Sequence, residues 1–297
     1  MKKLNVLTKT QVEQFMERGW IRLEEAIPRK QALAAAEFLW DKVEEQGALR
    51  NDPSSWTKPM IRLNEDYDTP EFRACNTERL WGAVEDLIGA DRAINRVNKG
   101  WGYWVMNFSV GAGRPWTVPT GGWHQDGSHF RHFVDSGDQG LLQLCFFSEV
   151  GSRGGAPLVI EGSHNVVARV LRQHPEGLDV HDAIRLEFEH PWLAGIGNPS
   201  DEAGSPEEIA LARIERYMNT TYHDPEGYQM KVVEATGTVG DVILAHPFLI
   251  HNSSQNHLRV PRFLMTKTVP LKERMNLNRP DPSEYSPLEL STVRAMG

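Results

Sequence analysis

The sequence predicts a mainly β protein whose core is a closed or double-layered sheet with helices packed outside it. Three observations support this class. Apolar residues have helical spacing in about the first ninety residues, short apolar or alternating runs take over from Ile94, and glycine turns separate those runs. The length of 297 residues suits one large domain or two small ones, and we predict a single domain over 1–297.

The N-terminal flank, residues 1–92, is predicted to be mostly helical. Thr8 and Gln11 can form a capping box at the start of a first helix, and Gly19 is typical of a helix end. Thr10 and Glu13 offer a second choice of capping box at the same helix. The predicted elements are a helix over 7–18, a short strand over 21–27, a helix from Pro28 to Gly47, a proline-containing loop over 50–70 and a helix over 77–88.

The β core is predicted to occupy residues 93–164 and 230–270. Its predicted strands are 103–109, 141–148, 157–161, 230–234, 242–245 and 263–269. Residues 165–229 lack strand patterning and are predicted to be an insertion or lid, with one clear helix start at Ser205, where a capping box and a first-turn proline coincide. Residues 271–297 carry scattered prolines and are predicted to wrap the surface.

Charge and composition exclude several classes of protein. The formal net charge of −8 disfavours nucleic acid or an anionic membrane as a partner. No apolar run reaches about 18 residues and the N-terminus has no apolar signal segment, so we expect no membrane span and no secretion signal. Two cysteines, Cys75 and Cys145, cannot form a disulfide framework, which predicts a cytoplasmic protein. The sequence does not indicate an oligomeric state.

A His-x-Asp pair is the first candidate for chemistry. In an extended chain, His124 and Asp126 point to the same face, so one metal ion can bind both. The alternative is a polar loop in which Asp126 caps a turn before Gly127. With one distant histidine, the pair would complete a 2-His-1-carboxylate iron site, which leaves three metal positions open.

The distant histidine and an arginine lie near the ends of the last predicted strands. His251 follows the apolar run 242–245 and can face a cavity, although His246 is a rival ligand and a buried histidine bonded to backbone is the alternative. Arg262 can bind a carboxylate of a dicarboxylic acid through its guanidinium group. Arg259 is the rival arginine, and either arginine can instead be a solvated surface charge.

Together these motifs resemble the phytanoyl-CoA dioxygenase (PhyH) family. The resemblance rests on His124-x-Asp126, the Gly-Ser-His turn at 162–164, the segment 240–253 and the arginine eleven residues beyond His251, and the opening at 7–27 is also similar. It covers about residues 7–270, with 165–230 the least similar part. It implies a double-stranded β-helix (a jelly-roll, cupin-like fold) and an oxygenase that uses Fe(II), 2-oxoglutarate and O2.

The resemblance also implies roles for individual residues. It makes His124, Asp126 and His251 the iron ligands and Arg262 the anchor for the distal carboxylate of 2-oxoglutarate. It places Ser253 beside that carboxylate. It also matches Asn107 to an amide position of the family near the other end of the cosubstrate. Finally, it makes His246 a strand residue rather than a ligand.

The carboxylate of Asp126 bears on the type of reaction. Halogenases related to this family have a small residue at that position, so the resemblance implies hydroxylation or a related oxidation of a C–H bond, with release of succinate and CO2, rather than halogenation. Two departures from the family pattern, Gly154-Gly155 and Glu161 in place of Asn-Gly and proline, lie outside the expected metal site.

The substrate is the least determined part of the prediction. Trp123, Phe130 and Arg131 flank residues 124–127, which we call the metal turn. They can line a pocket, or can serve packing alone. We expect a small or medium-sized metabolite. Two other classes stay open: a metal-dependent hydrolase or isomerase that uses the same three ligands without 2-oxoglutarate, and a binding protein without catalytic activity.

Overall fold

The computed structural model describes residues 4–94, 101–198 and 202–297. Its helices are α1 Lys9–Arg18, α2 Arg29–Glu44, α3 Pro70–Ala74, α4 Glu78–Ile88, α5 His164–Gln173, α6 Val180–Glu187, α7 Pro191–Gly197, α8 Pro206–Ile214 and α9 Pro287–Met296. Its strands are β1 Trp20–Leu23, β2 Met60–Leu63, β3 Trp104–Asn107, β4 Leu141–Phe146, β5 Pro157–Glu161, β6 Tyr222–His223, β7 Gln229–Glu234, β8 Val242–Ala245, β9 His251–Ser253 and β10 Arg262–Val269.

Two antiparallel sheets form the core and confirm the predicted jelly-roll class. The larger sheet has the order β1-β8-β4-β10-β3-β2, and the smaller has β6-β7-β5-β9. An apolar layer between them draws residues from both sheets, because alternate side chains of each strand point inward. Its members include Leu144, Phe146, Ile243 and Leu264 from the larger sheet and Val159 from the smaller.

The N-terminal helices cover the outer face of the larger sheet. Helix α1 has the capping box of Thr8 with Gln11, and it ends at Gly19, whose φ of +84° favours glycine. Helices α2 and α4 agree with the sequence prediction. The predicted loop over 50–70 was wrong in part: β2 pairs with β3 and buries Ile61 and Leu63, and its proline-flanked sequence hid that pattern.

The β-strand predictions were largely right. Strand β5 has the predicted bounds, β4 and β10 differ by one or two residues, and β3 is shorter than the predicted 103–109. The start of the predicted β region at Ile94 runs into 95–100, which lie outside the described residues. Strand β9 was not predicted, because three residues are too few to show alternation.

The insertion is more helical than the sequence indicated. It holds most of α5, which starts at His164, and all of α6, α7 and α8, although only the start of α8 was predicted. Trp192, Leu193 and Tyr217 are buried within it. The buried Arg213 donates to the carbonyls of Val118 and of its neighbour at 119, which anchors α8 to the loop before the metal turn.

The C-terminal segment does not simply wrap the surface as predicted. It ends in α9, where Ser286 and Glu289 form a capping box and Leu288 and Ala295 are buried. Arg92 ion-pairs with the buried Glu289, as does an arginine at 279, so α9 is held against α4. Cys75 and Cys145 are both buried and free of disulfides. Within the described residues, no helix has the length and apolar character needed to cross a membrane.

Candidate metal centre

Two backbone hydrogen bonds bring the distant histidines together. The His124 N–H donates to the carbonyl of His251 at 3.0 Å, and the His251 N–H donates to the carbonyl of His124 at 2.8 Å. This antiparallel bridge lies beside β9 at the edge of the smaller sheet. The two imidazole centroids are 4.4 Å apart. The sheet itself therefore fixes the distance between the two rings.

Backbone carbonyls set the orientation of each ring. Nδ1 of His124 lies 2.7 Å from the carbonyl oxygen of Gly122, and Nδ1 of His251 lies 3.1 Å from that of Leu249. Because a carbonyl oxygen only accepts, each Nδ1 carries the proton and donates it, and each Nε2 keeps a free lone pair. Contacts of this kind orient histidines in metal sites.

The carboxylate of Asp126 faces both free nitrogens. Its Oδ1 lies 3.7 Å from Nε2 of His124 and 3.8 Å from Nε2 of His251. One ligand atom from each of the three residues lies within 4.8 Å of the other two. Oδ2 of Asp126 is buried without a hydrogen-bond partner among the described residues. Two nitrogens and one oxygen on one face are the donor set of facial Fe(II) sites, so these residues fit such an ion.

Burial favours the ligand form of His251. It lowers the pKa of His251, while the Asp126 carboxylate opposes this shift and His124 adds to it. Neutral imidazole is the form that binds metal. The buried position of His251 therefore prepares its Nε2 to bind a cation at neutral pH.

Arg262 is a buried charge that lacks partners. It begins β10 opposite Asn107, so the two side chains share the inner face of the larger sheet. Arg262 is 2% exposed, and its Nε and one terminal nitrogen are buried without a hydrogen-bond partner among the described residues. Burial lowers its pKa to about 10, so it stays charged at neutral pH. An uncompensated buried cation is costly, so this pocket fits a carboxylate ligand.

Arg259, the rival arginine, has a different setting. It is exposed in the turn between β9 and β10, with a φ of +53°, and its backbone N–H is bonded to Asn256. The geometry therefore offers Arg262 rather than Arg259 as the carboxylate partner.

The other two predicted cofactor residues, Ser253 and Asn107, differ in exposure and in how far their side chains are already hydrogen-bonded within the fold. Ser253 lies two residues after His251 on β9, so both side chains point to the same face, and Ser253 is exposed. The amide of Asn107 is bound to backbone on both sides: it donates to the carbonyl of Ser254 at 3.2 Å and accepts from the N–H of Val110 at 3.0 Å. Asn107 thus ties β3 to the turn after β9.

His246, the rival ligand, lies elsewhere in the core. It is fully buried, its Nδ1 accepts the N–H of Phe248 at 3.1 Å, and its Nε2 lies 3.2 Å from the hydroxyl oxygen of Thr292. Both ring nitrogens therefore have partners within the fold. The described residues within reach of one shared ion are His124, Asp126 and His251, without His246.

The three predicted substrate residues surround the metal turn in different ways. Trp123 is buried and donates from its indole nitrogen to the carbonyl of Pro119 at 2.8 Å. Phe130 is half-buried beside the ring of a histidine at 132. Arg131 donates to the carbonyl of Gly177 at 2.5 Å, which uses one terminal nitrogen to hold the insertion.

Sequence reasoning missed a buried pair behind the metal turn. Gln125 lies between the two ligands of the turn, and its side-chain amide donates to the carboxyl group of Glu187 at 2.8 Å. Both residues are almost fully buried. Burial raises the pKa of Glu187 to about 8, and the Gln125 hydrogen bond partly opposes that shift. Alternation could have placed Gln125 opposite the ligands, but no pattern in the insertion distinguishes Glu187.

Comparisons with known proteins give one family match and several distant structures. The model of the phytanoyl-CoA dioxygenase (PhyH) family matches residues 30–263. A solved carbocyclase from nogalamycin biosynthesis, SnoK, is 13% identical over 91% of this chain and 87% of its own, with a TM-score of 0.49. HygX from Streptomyces hygroscopicus, solved with nickel, 2-oxoglutarate and hygromycin B, is 14% identical over 88% and 86%, with a TM-score of 0.43.

A further solved structure is similarly distant. EctD from S. alaskensis, solved with 2-oxoglutarate and 5-hydroxyectoine, is 16% identical over 89% of this chain and 76% of its own, with a TM-score of 0.45. No curated protein matches the sequence at a significant level.

Proposed function

The chain belongs to the phytanoyl-CoA dioxygenase (PhyH) family of Fe(II)- and 2-oxoglutarate-dependent oxygenases, and we propose that it hydroxylates a C–H bond of a small or medium-sized metabolite. One observation carries the proposal. Two free imidazole nitrogens and a carboxylate converge on one point, and the same core contains a buried arginine without a counter-charge among the described residues. The first group fits the metal and the second fits the cosubstrate.

Each residue has a distinct role in this proposal. His124, Asp126 and His251 would hold Fe(II) on one face, with the rings kept in place by the carbonyls of the backbone. Arg262 would bind the distal carboxylate of 2-oxoglutarate, and Ser253 would donate to the same carboxylate. When bound, iron, 2-oxoglutarate and O2 supply the oxidising power and release succinate and CO2.

The presence of Asp126 supports hydroxylation over halogenation. A carboxylate at this position occupies the coordination site that a halide would need. Asp126 is within reach of both histidines, so it fills that position in this chain. The buried position of His251 and Arg262 would also keep water away from the reacting groups.

A groove next to β9 supports a substrate of modest size. It has a volume of about 560 Å³ and is bounded by the loop at 110–121, by α8 and by residues 252–255. Ser253 borders it, which places the groove beside the proposed cosubstrate site. We propose that α8 of the insertion forms one wall of the substrate site. The buried free cysteines fit the reducing cytoplasm that the sequence predicts.

Turnover with labelled oxygen tests the proposed reaction. The protein with Fe(II), 2-oxoglutarate and ¹⁸O₂ is incubated with a panel of metabolites, and succinate and product masses are measured. We expect one compound to stimulate succinate release and to gain one labelled oxygen atom. His251→Ala is the control and should give neither. A stimulating compound whose product gains no oxygen would contradict hydroxylation, and would point to desaturation, epimerisation or ring formation.

A further inference from the structure

Helix α6 is tied at both ends to the segment that carries the metal turn. At its start, Leu178 and His132 exchange two backbone hydrogen bonds of 2.7 and 3.0 Å. At its end, Glu187 accepts the hydrogen bond from Gln125. Between the two attachments, the ring Nε2 of His132 lies 2.9 Å from the carbonyl oxygen of Gly127, directly after the metal turn. The insertion is therefore attached to the side of the metal turn that faces away from the proposed metal.

The alternation of the turn directs Gln125 away from the ligands. His124 and Asp126 face the proposed metal, so the residue between them points to the opposite side. Gln125 is 1% exposed and Glu187 is 0% exposed, so solvent does not compete for their hydrogen bonds. A shift of the Gln125 backbone would displace the adjacent backbone of both His124 and Asp126.

Glu187 has no counter-charge among the described residues. Ion pairs of the described chain do not include it, and the one side chain that hydrogen-bonds to it is Gln125. An ionised carboxylate buried without a cation is strongly disfavoured relative to its protonated form. Burial therefore favours the neutral, protonated form of Glu187, whose pKa is raised to about 8.

One oxygen atom of Glu187 and one of Gln125 lack hydrogen-bond partners among the described residues. These atoms are Oε2 of Glu187 and Oε1 of Gln125, and both are buried. A proton on Oε2 makes that atom a donor, and the amide oxygen of Gln125 is an acceptor on the same partner. One proton on Oε2 can therefore add a second hydrogen bond to the one that Gln125 already donates, as in an acid–amide pair.

We propose that Glu187 is a positioning residue for the metal site: paired with Gln125, it fixes the turn that presents His124 and Asp126. This inference rests on the proposed function, because it assigns a residue of the insertion to the metal site of that function. It makes the docking of α6 a condition for tight metal binding. Glu187 is not one of the three proposed ligands, and its side chain is hydrogen-bonded to Gln125, so its effect would pass through Gln125.

Metal affinity measured apart from turnover tests this role. Co(II) is titrated into metal-free protein, and affinity is followed by its visible d–d absorption, which also reports coordination. Glu187→Leu removes both hydrogen bonds at similar size, and we expect about 10- to 100-fold weaker binding with an altered spectrum. Glu187→Gln can form a similar two-bond pair with Gln125, so we expect affinity within about 3-fold of wild type and an unchanged spectrum.

Two further variants separate positioning from general stability. The exchange Gln125→Glu with Glu187→Gln reverses the pair and should keep most of the wild-type affinity. Leu193→Ala leaves a cavity in α7 of the same insertion and should lower the urea concentration at which the protein unfolds. We expect that control to keep wild-type Co(II) affinity, since Leu193 is not among the residues that tie the insertion to the metal turn.

The outcomes distinguish this inference from the proposed function. Wild-type affinity in Glu187→Leu, or equal loss in Leu193→Ala, would overturn the positioning role while the oxygenase assignment stands. A wild-type protein without Co(II) affinity would overturn both. If Glu187→Leu does not fold, Gln125→Met removes the same pair from the side of the turn, and unchanged affinity in that variant would overturn the role.

Discussion

The protein contains two histidine pairs with similar ring spacing and different surroundings. The rings of His124 and His251 are 4.4 Å apart, and those of His164 and His246 are 5.0 Å apart. In the first pair each Nδ1 is bonded to a carbonyl, and both Nε2 atoms face the carboxylate of Asp126. In the second pair the Nε2 atoms lie against Met16 and Thr292, and neither ring belongs to a possible metal group of the described residues.

The difference shows what makes a pair of histidines a metal site. Proximity is shared by both pairs, so ring spacing does not decide. Burial does not select the first pair either, because the side chain of His124 is 41% exposed whereas His164 and His246 are buried. The first pair has a free nitrogen on each ring and a carboxylate that faces both nitrogens. In the second pair Nδ1 of His164 lacks a partner among the described residues, but both nitrogens of His246 are bonded and no carboxylate of the described residues completes a metal group. The same distinction separates Arg262, which lacks partners, from Asn107, whose amide is bonded to backbone.

The largest expected effect is loss of metal from the first pair. His251→Ala should weaken Fe(II) binding by more than about 1,000-fold, because even outer partners of metal ligands contribute 10- to 100-fold. Anaerobic titration of the metal-free protein measures this. Retained Fe(II) affinity in this variant would show that His251 is not a ligand. The two histidine pairs would then not differ in metal binding as we expect.

Acid should destabilise the fold through the second pair. Burial lowers the pKa of His164 to about 4, and burial also lowers the pKa of His246. Between about pH 6.5 and 4, the unfolded chain binds a proton that folded His164 does not, so the free energy of unfolding falls as pH falls, by about 1.4 kcal/mol per unit. Urea denaturation of metal-free wild type and His164→Gln across this range should show the smaller slope in the variant. Equal slopes would contradict the assignment.

His246 should affect stability without affecting the metal. His246→Leu leaves the buried N–H of Phe248 without its acceptor, which should lower the free energy of unfolding by about 1–3 kcal/mol. Its Fe(II) affinity should stay within about 3-fold of wild type. Urea denaturation and metal titration of one preparation measure both quantities. Loss of metal with unchanged stability would make His246 a ligand after all.

The smallest effect compares two neighbouring serines. Ser253 shares the face of His251, whereas the hydroxyl of Ser254 donates to the carbonyl of Ala156 at 2.7 Å. Ser253→Ala should weaken 2-oxoglutarate binding to the Fe(II) protein by about 3- to 10-fold, the contribution of one hydrogen bond. Ser254→Ala should lower stability and leave that affinity unchanged, as calorimetric titration can check. The reverse result would indicate that 2-oxoglutarate does not bind beside Ser253 on β9.

Sequence patterns predicted the fold where local chemistry determined the structure. The capping box at Thr8 and the apolar strand at 157–161 were read correctly because each depends on neighbouring residues. Strand β2 was missed because its four residues lie between prolines in a polar stretch that is typical of a loop. Helix α9 was missed although Ser286, Pro287 and Glu289 repeat the start pattern recognised at Ser205.

The candidate site was predictable only in part. The His-x-Asp spacing and the distant histidine indicated three ligands, and the structure brings those three side chains together. The choice between His251 and His246 depends on which ring nitrogens are already bonded, and that is a property of tertiary contacts. Glu187 could not be found for the same reason, since its partner Gln125 lies on another segment.

One spectrum tests the central claim most directly: that the first histidine pair with Asp126 binds Fe(II) and that Arg262 binds 2-oxoglutarate beside it. Fe(II) and 2-oxoglutarate are added anaerobically to metal-free protein, and the visible charge-transfer band of a metal-bound keto acid is recorded. We expect the band in wild type, a weaker band in Arg262→Ala and none in His251→Ala. Stoichiometric Fe(II) binding without a band in wild type would contradict the account, and would favour a metal-dependent hydrolase or isomerase.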